Sequence, residues 1–397
     1  MSSTVALGSL ASFRKGAGLP KSDLQSDGRV PCIHYGELFT KYGAVINAPI
    51  SRTNADLPVT SIAGDVLMPT SDVTPRGLAK ASAILQDGVT LGGDILVIRP
   101  DGASIDSRYL AYAIRNDANQ VLKLVRGSTV YHLYAADMRH FELNLPPKAQ
   151  QTRAADALQD VDDLIAMLER LAAKKHAIKE GMMQELLTGR TRLPGFDSAW
   201  TDSIIGAVAR VTGGGTPSTR VSAYWNGDIP WFTPAEIKSE GSGLVSSSAR
   251  AITQFGLARS AATLLPEGSV LVTSRASIGH CAVAAVPVAT NQGFASMIPR
   301  DRRSTWFLYY WVQQNHAELE SRSAGSTFLE ISATKVAGIP LAEPSLREQQ
   351  AIGEALRSAD TELDALKSRL AKARAIKTGM MQQLLTGRVR LPVEGAS

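Results

Sequence analysis

Two fourteen-residue stretches, GMMQELLTGRTRLP from Gly181 and GMMQQLLTGRVRLP from Gly379, lie 198 positions apart and differ at only two of their residues. The same offset carries GSTV at Gly127 onto GSTF at Gly325, RYLAY at Arg108 onto WFLYY at Trp306, and LGSLAS at Leu7 onto IGAVAR at Ile205. Twice 198 nearly fills the 397 residues, so the chain reads as two tandem copies of one unit. Each copy is a globular part of about 145 residues followed by a segment of about 45.

The second part of each copy reads as a long helix. Gln150 to Thr188 contains no proline and a single glycine, and Leu158, Val161, Ile165, Leu168 and Ala172 recur at three- and four-residue intervals. Leu356, Ala359, Leu363, Leu366, Leu370 and Ala373 repeat the pattern, which is the seam of a two-stranded coiled coil. Asp156, Asp160, Asp162 and Asp163 precede Lys174, Lys175 and Lys179; Glu354, Asp360, Glu362 and Asp364 precede Lys372, Arg374 and Lys377. An antiparallel pair sets acid beside base, whereas a parallel pair stacks like on like, so antiparallel pairing is expected. Gly189 and Gly387 are candidate helix-ending residues. Gly181 and Gly379 stand inside strong helix formers at a cost of about 1 kcal/mol each against alanine, which suggests close backbone approach or a bend.

The globular parts read as mixed α/β (α+β). GDVLMPT, GGDILVIRP and GSVLVTS are short apolar strands, and SRYLAYAIRN and STWFLYYWVQQ are aromatic helices. Prolines at Pro146, Pro147 and Pro344 mark the passage into the helices, giving domains at 1–147 and 195–345 and helical segments at 148–194 and 346–397. Hydrophobic residues at 44% and charged residues at 20% exclude a disordered or fibrous chain. A net charge of +5 permits a nucleic-acid partner without requiring one. No run of 18 apolar residues suggests a membrane span, and nothing at the N-terminus reads as an export signal. Cys32 and Cys281 read as buried small hydrophobes in a reducing compartment.

In its ordered pieces the chain resembles the specificity subunit of Type I restriction-modification systems. The pieces are MQELLTGRTRL and MQQLLTGRVRL, the helix starts LPPKAQQ and LREQQAIGEAL, the second-half opening VTGGGTPSTRVSAYWNGDIPWFTPAEI, and RASIGH, ATNQGF and GSTFLEI. The resemblance implies a pseudo-two-fold protein with two target recognition domains, each reading half of a split DNA sequence, joined by two long antiparallel helices. It also implies a non-catalytic role and two DNA methyltransferase (modification) subunits as partners, with restriction/translocase subunits beside them. S-adenosylmethionine, ATP and Mg²⁺ are then expected on the partners and no cofactor on this chain, in the cytoplasm of a bacterium or archaeon. The specificity subunit of a combined methylase-nuclease system fits the same pieces.

Base edges are read by Arg, Lys, Asn, Gln, Ser and Thr on loops. In the first copy the candidates are Arg14, Lys15 and Lys21 in RKGAGLPKSD, Tyr35 and Lys41 in IHYGELFTKYG, Ser71 and Arg76 in PTSDVTPRG, and Ser128, Thr129 and Tyr131 in GSTVYH. In the second they are Thr216, Ser218 and Arg220 in TGGGTPSTR, Ser274 and Arg275 in TSRASIGH, Asn291 and Gln292 in TNQGF, and Ser326 and Thr327 in GSTF. Each cluster also reads as an ordinary turn, and Tyr35 also as a core residue.

Enzyme signatures are missing. There is no GxxxxGK[ST] phosphate loop, no HExxH, no spaced His and Cys ligand set, and no D/N-P-P-Y/F tetrapeptide. A rival reading takes Asp228, Glu236 and Lys238 in GDIPWFTPAEIK as the acidic pair and lysine of a metal-dependent nuclease. The first copy has no equivalent of it.

Overall fold

A computed structural model describes residues 3–238, 243–275, 277–324 and 329–392. The chain divides into two compact units, Met1–Leu168 with Leu370–Ser397, and Glu169–Arg369, so each unit holds one globular part and a portion of both long helices.

Both units are built on one five-stranded sheet. In the first, β1 (Ala11–Lys15), β2 (Val45–Ile46), β3 (Asp65–Pro69), β4 (Ser82–Ile84) and β5 (Ile95–Pro100) lie in the order β1-β5-β3-β4-β2. In the second, β6 (Ala209–Gly213), β7 (Leu244–Val245), β8 (Val270–Val272), β9 (Cys281–Ala284) and β10 (Ala295–Pro299) lie in the order β6-β10-β8-β9-β7, the same topology. Neighbours run antiparallel except the edge pairs β2 with β4 and β7 with β9, which are parallel.

Side chains alternate across a strand, and here the two faces fill different cores. Val66, Met68, Leu96 and Ile98 enter one cluster, while Leu67, Ile95 and Val97 enter another. Val270, Val272 and Val283 likewise part from Leu271, Ala282 and Ala284. Being covered on both sides, these strands are apolar throughout, which is why GDVLMPT shows no polar alternation.

One face of each sheet carries an aromatic helix and the long helices. These are α1 (Ser107–Asn116), α2 (Lys148–Leu186), α3 (Thr305–Gln314) and α4 (Leu346–Leu384). Asp106 caps α1 by accepting the amides of Arg108 and Tyr109. Tyr109, Leu110 and Tyr112 pack with Leu158, Leu384 and Leu385 in the first unit, as Phe307, Leu308 and Tyr310 pack with Met183, Leu186, Leu187 and Leu356 in the second. Each fully buried side chain of this size contributes roughly 1.5–3 kcal/mol. The repeated stretch thus ends each helix in a core, and Gly189 and Gly387 close it at φ of 70° and 72°.

Within each unit the helices pair antiparallel, as the charges require. Lys175 meets Glu362 at 2.6 Å and Lys179 meets Asp360 at 2.5 Å in the second unit, and Lys377 meets Asp162 at 2.5 Å in the first. Asp360 also accepts the Tyr310 hydroxyl and Asp162 that of Tyr112, so a Tyr-Asp-Lys triad ties each aromatic helix to both long helices. Burial and the neighbouring carboxylate push both phenols above their ordinary range. Gln151 and Gln349 are buried at the helix starts and donate to the carbonyls of Pro146 and Pro344.

One of the two explanations for the helix glycines fails. A Cβ added at Gly181 or Gly379 meets nothing within 4 Å, so no close approach among the described residues accounts for either glycine. Leu164, Met167, Leu171, Ile178 and Ile376 also stand exposed on the long helices, outside the paired seam.

Candidate nucleic-acid interface

The strands β3 and β8 belong to the buried five-stranded sheets, so the loops that leave them are presented from a rigid base. Leaving β3, the Thr70 carbonyl accepts from the Leu133 amide at 3.0 Å, and Ser71 pairs with His132. Leaving β8, the Ser274 carbonyl accepts from the Ile331 amide at 3.1 Å, and Arg275 bridges to Glu330. His132 closes a loop with Arg126, as Glu330 does with Ala324. The two units therefore share one backbone arrangement at this place and fill it with different side chains.

In the first unit this arrangement borders a cleft of about 480 Å³ lined by Phe13, Arg14, Lys15, Asp94, His132 and Tyr134. Lys15 lies 3.6 Å from Asp94, and Arg139 sits over the Phe13 ring at 5.3 Å. Tyr131 pairs with Asp72 beside the turn Pro75–Ala79, which carries exposed Arg76. Ser128 and Thr129 are exposed in the loop between Arg126 and His132, and Arg126 is held by Asp137. Arg14, Lys15, Ser71, Arg76, Ser128, Thr129 and Tyr131 thus gather in one region.

The other first-copy candidates have contacts of their own. Lys41 pairs with Glu37 at 3.0 Å, and Tyr35 packs in the second core against His34 and Phe39. Lys21 is exposed on the turn Lys21–Asp23, close enough to His34 to help burial lower that imidazole's pKa.

In the second unit Thr216 donates to Gln292 at 2.7 Å, joining the GGGTPS loop to TNQGF, and the Ser274 amide donates to Gly293. Two indoles hold the first of these loops, Trp225 by donating to the Ser218 carbonyl and Trp231 to that of Gly215. The glycines serve close packing rather than an open anion cradle. A Cβ on Gly214 would lie 2.3 Å from the Thr290 and Asn291 carbonyls, and the Gly215 amide is already donated to Thr290. Arg220 and Gln292 are exposed, Asn291 accepts from the Gly293 amide, and Ser274, at 2% exposure, supports the site from below. Ser326 and Thr327 lie outside the described residues.

Several contributors carry no simple sequence signal. Tyr134 is 52% exposed and stacks on His132, two residues before it, and Arg250 lies 3.5 Å above the Trp225 ring, a contact made across the fold. Glu330 gains its meaning only from Arg275, 55 residues earlier.

Nothing in the structure favours the nuclease grouping. Glu236 closes a capping box, accepting the Thr233 amide and hydroxyl through one oxygen and the Ala249 amide through the other. Among the described residues no group of three His, Cys, Asp or Glu could hold a metal ion. Both cysteines are free and buried, and burial pushes the Cys32 thiol up to about 11.

A family model described as the Type I restriction modification DNA specificity domain matches residues 2–175 and 197–373. The Type I restriction enzyme MjaIX specificity subunit of Methanocaldococcus jannaschii is 37% identical over 159 residues, 40% of this chain and 37% of that protein. The EcoR124I/EcoR124II specificity subunit of Escherichia coli is 30% identical over 164 residues, 40% of each chain. These matches span well under half the length of either relative; a putative MjaX specificity subunit from M. jannaschii is matched at 22% identity over 76% of this chain and 72% of its own. The solved S subunit of a Type-I restriction-modification system from M. genitalium shares the fold at TM-score 0.64, with 15% identity over 96% of each chain.

Proposed function

The chain belongs to the Type I restriction modification DNA specificity domain family, and on that premise we propose that it is the non-catalytic subunit that reads a bipartite DNA target. The observation that carries the reading is the shared backbone site: Ser71 with His132 in one unit, Arg275 with Glu330 in the other. A common scaffold with different side chains at its rim is what two readers of two unlike half-sites require. Cations and amides grip phosphate and set register, while bidentate side chains discriminate base edges.

In this reading residues 1–147 and 195–345 are the two readers, and 148–194 with 346–397 hold them and the partners. The reading faces are Arg14, Lys15, Ser71, Arg76, Ser128, Thr129 and Tyr131 in the first unit and Thr216, Arg220, Arg275, Asn291 and Gln292 in the second. Two modification subunits holding S-adenosylmethionine dock along the long helices, whose exposed Leu164, Met167, Leu171, Ile178 and Ile376 suit an apolar partner. ATP and Mg²⁺ belong to restriction subunits, in a prokaryotic cytoplasm; no helix among the described residues is long and apolar enough to cross a membrane.

Methylome sequencing tests the proposal. Deleting this chain from cells that carry its partner subunits removes one split, adenine-methylated motif; an unchanged methylome refutes the reading.

A further inference from the structure

We infer that Arg275, oriented by Glu330, reads a guanine in the half-site of the second unit. The inference rests on the proposed DNA-reading role and assigns one base contact within it.

Arg275 extends from the end of β8, and its terminal nitrogen meets Glu330 Oε1 at 2.9 Å. Both side chains are part exposed, at 43% and 40%, so the pair fronts the site rather than filling a core. The strand bridge between the two residues and the Ile331 to Ser274 hydrogen bond fix both backbones, so the side chains start from defined positions. Asn291, Gln292 and Thr216 belong to the same face, because the Ser274 amide is donated to Gly293 and Thr216 to Gln292.

A carboxylate on a face turned toward phosphates is repelled unless it has a specific task there. Glu330 has one: its Oε1 holds Arg275 Nη2 and thereby limits the rotation of the remaining donors. The Arg275 Nε is buried with no hydrogen-bond partner among the described residues, so it takes no part in this pair. In the proposed contact Nη1 and the second N–H of Nη2 form the fork that matches the O6 and N7 acceptors of guanine in the major groove. The free oxygen of Glu330 is placed to accept from the N4 amino group of the paired cytosine. At the equivalent backbone positions Ser71 and His132 offer neither a fork nor a carboxylate, so this contact belongs to the second unit alone.

The test uses the complete methyltransferase complex and motif mapping by methylome sequencing. With Arg275→Ala or Arg275→Gln, discrimination at one G·C position in one half-site falls by about ten- to a hundred-fold, while the other half-site and the adenine positions stay as in wild type. Glu330→Gln loosens the same position more mildly, and Arg275→Lys fails to restore it because lysine has no fork. An unchanged motif in the Arg275 variants overturns the inference. So does a uniform loss across all base substitutions, which assigns Arg275 to phosphate. If Arg275→Ala does not fold, Arg275→Gln and Glu330→Gln decide by the same readout. Loss of the motif on deleting the chain together with an intact motif in these variants refutes the base contact and leaves the proposed function standing.

Discussion

Glu348 is 1% exposed at the start of α4, where its carboxylate accepts from Arg192 Nε and Nη2 at 2.6 Å and from the Trp200 indole N–H at 3.1 Å. Arg192→Ala leaves a buried carboxylate with only the indole, and we expect the second unit to be destabilised, seen as a lower thermal midpoint. Glu348→Gln should cost less, because the first copy carries Gln150 at the equivalent position; equal losses would contradict this. Asp106 makes a second case. Burial pushes its carboxyl up, but Arg108, the Tyr109 amide and Thr152 outweigh that and hold it below the usual carboxylate range. A depressed folded pKa stabilises above the ordinary value near 4 and is lost as pH falls through the folded one. The stability gap between wild type and Asp106→Asn should therefore close on acidification, and a gap independent of pH would contradict it. The Arg192–Glu348 pair was not legible in the sequence: the two are 156 residues apart, and the repeat hides them by placing Arg390 and Gln150 at the equivalent positions.

Among the elements, the long helices were the most legible, since a heptad seam and a dipole-matched charge gradient are local patterns. The seam residues Leu158, Leu168, Leu356, Leu363, Leu366 and Ala373 are buried, and acid meets base across each pair. The five-stranded sheets were legible only as apolar runs; their order joins strands far apart in sequence, which no local period encodes. The glycines misled for a definite reason: a propensity cost signals a constraint but not its source. With open space around them, Gly181→Ala and Gly379→Ala should each stabilise the isolated chain by about 1 kcal/mol, measured by thermal denaturation. Destabilisation would mean that the glycine conformation itself is needed. The reading face was the least legible element. Sequence polarity marked Lys41 and Ser274 as readily as Arg14 and Arg275; the fold holds Lys41 on Glu37 and buries Ser274 to 2% exposure.

For the molecule as a whole, the two copies exchange helices. Each unit pairs the portion of α2 it holds with its portion of α4, and both helices continue unbroken past the unit boundaries at residues 168/169 and 369/370. Lys175 with Glu362 and Lys179 with Asp360 pair across the helices within the second unit, and Lys377 with Asp162 within the first. Extra residues at the boundaries leave these three pairs in place, provided both helices are lengthened together. Four residues add one helical turn, about 6 Å at 1.5 Å per residue, or roughly one to two base pairs along a duplex. If the helices set the distance between half-sites, inserting four residues at both boundaries should lengthen the nonspecific spacer of the methylated motif by that amount and preserve both half-site sequences. A double insertion that methylates the original spacer would show that the distance is set elsewhere, and one that alters a half-site would place base reading in the helices rather than in the loops.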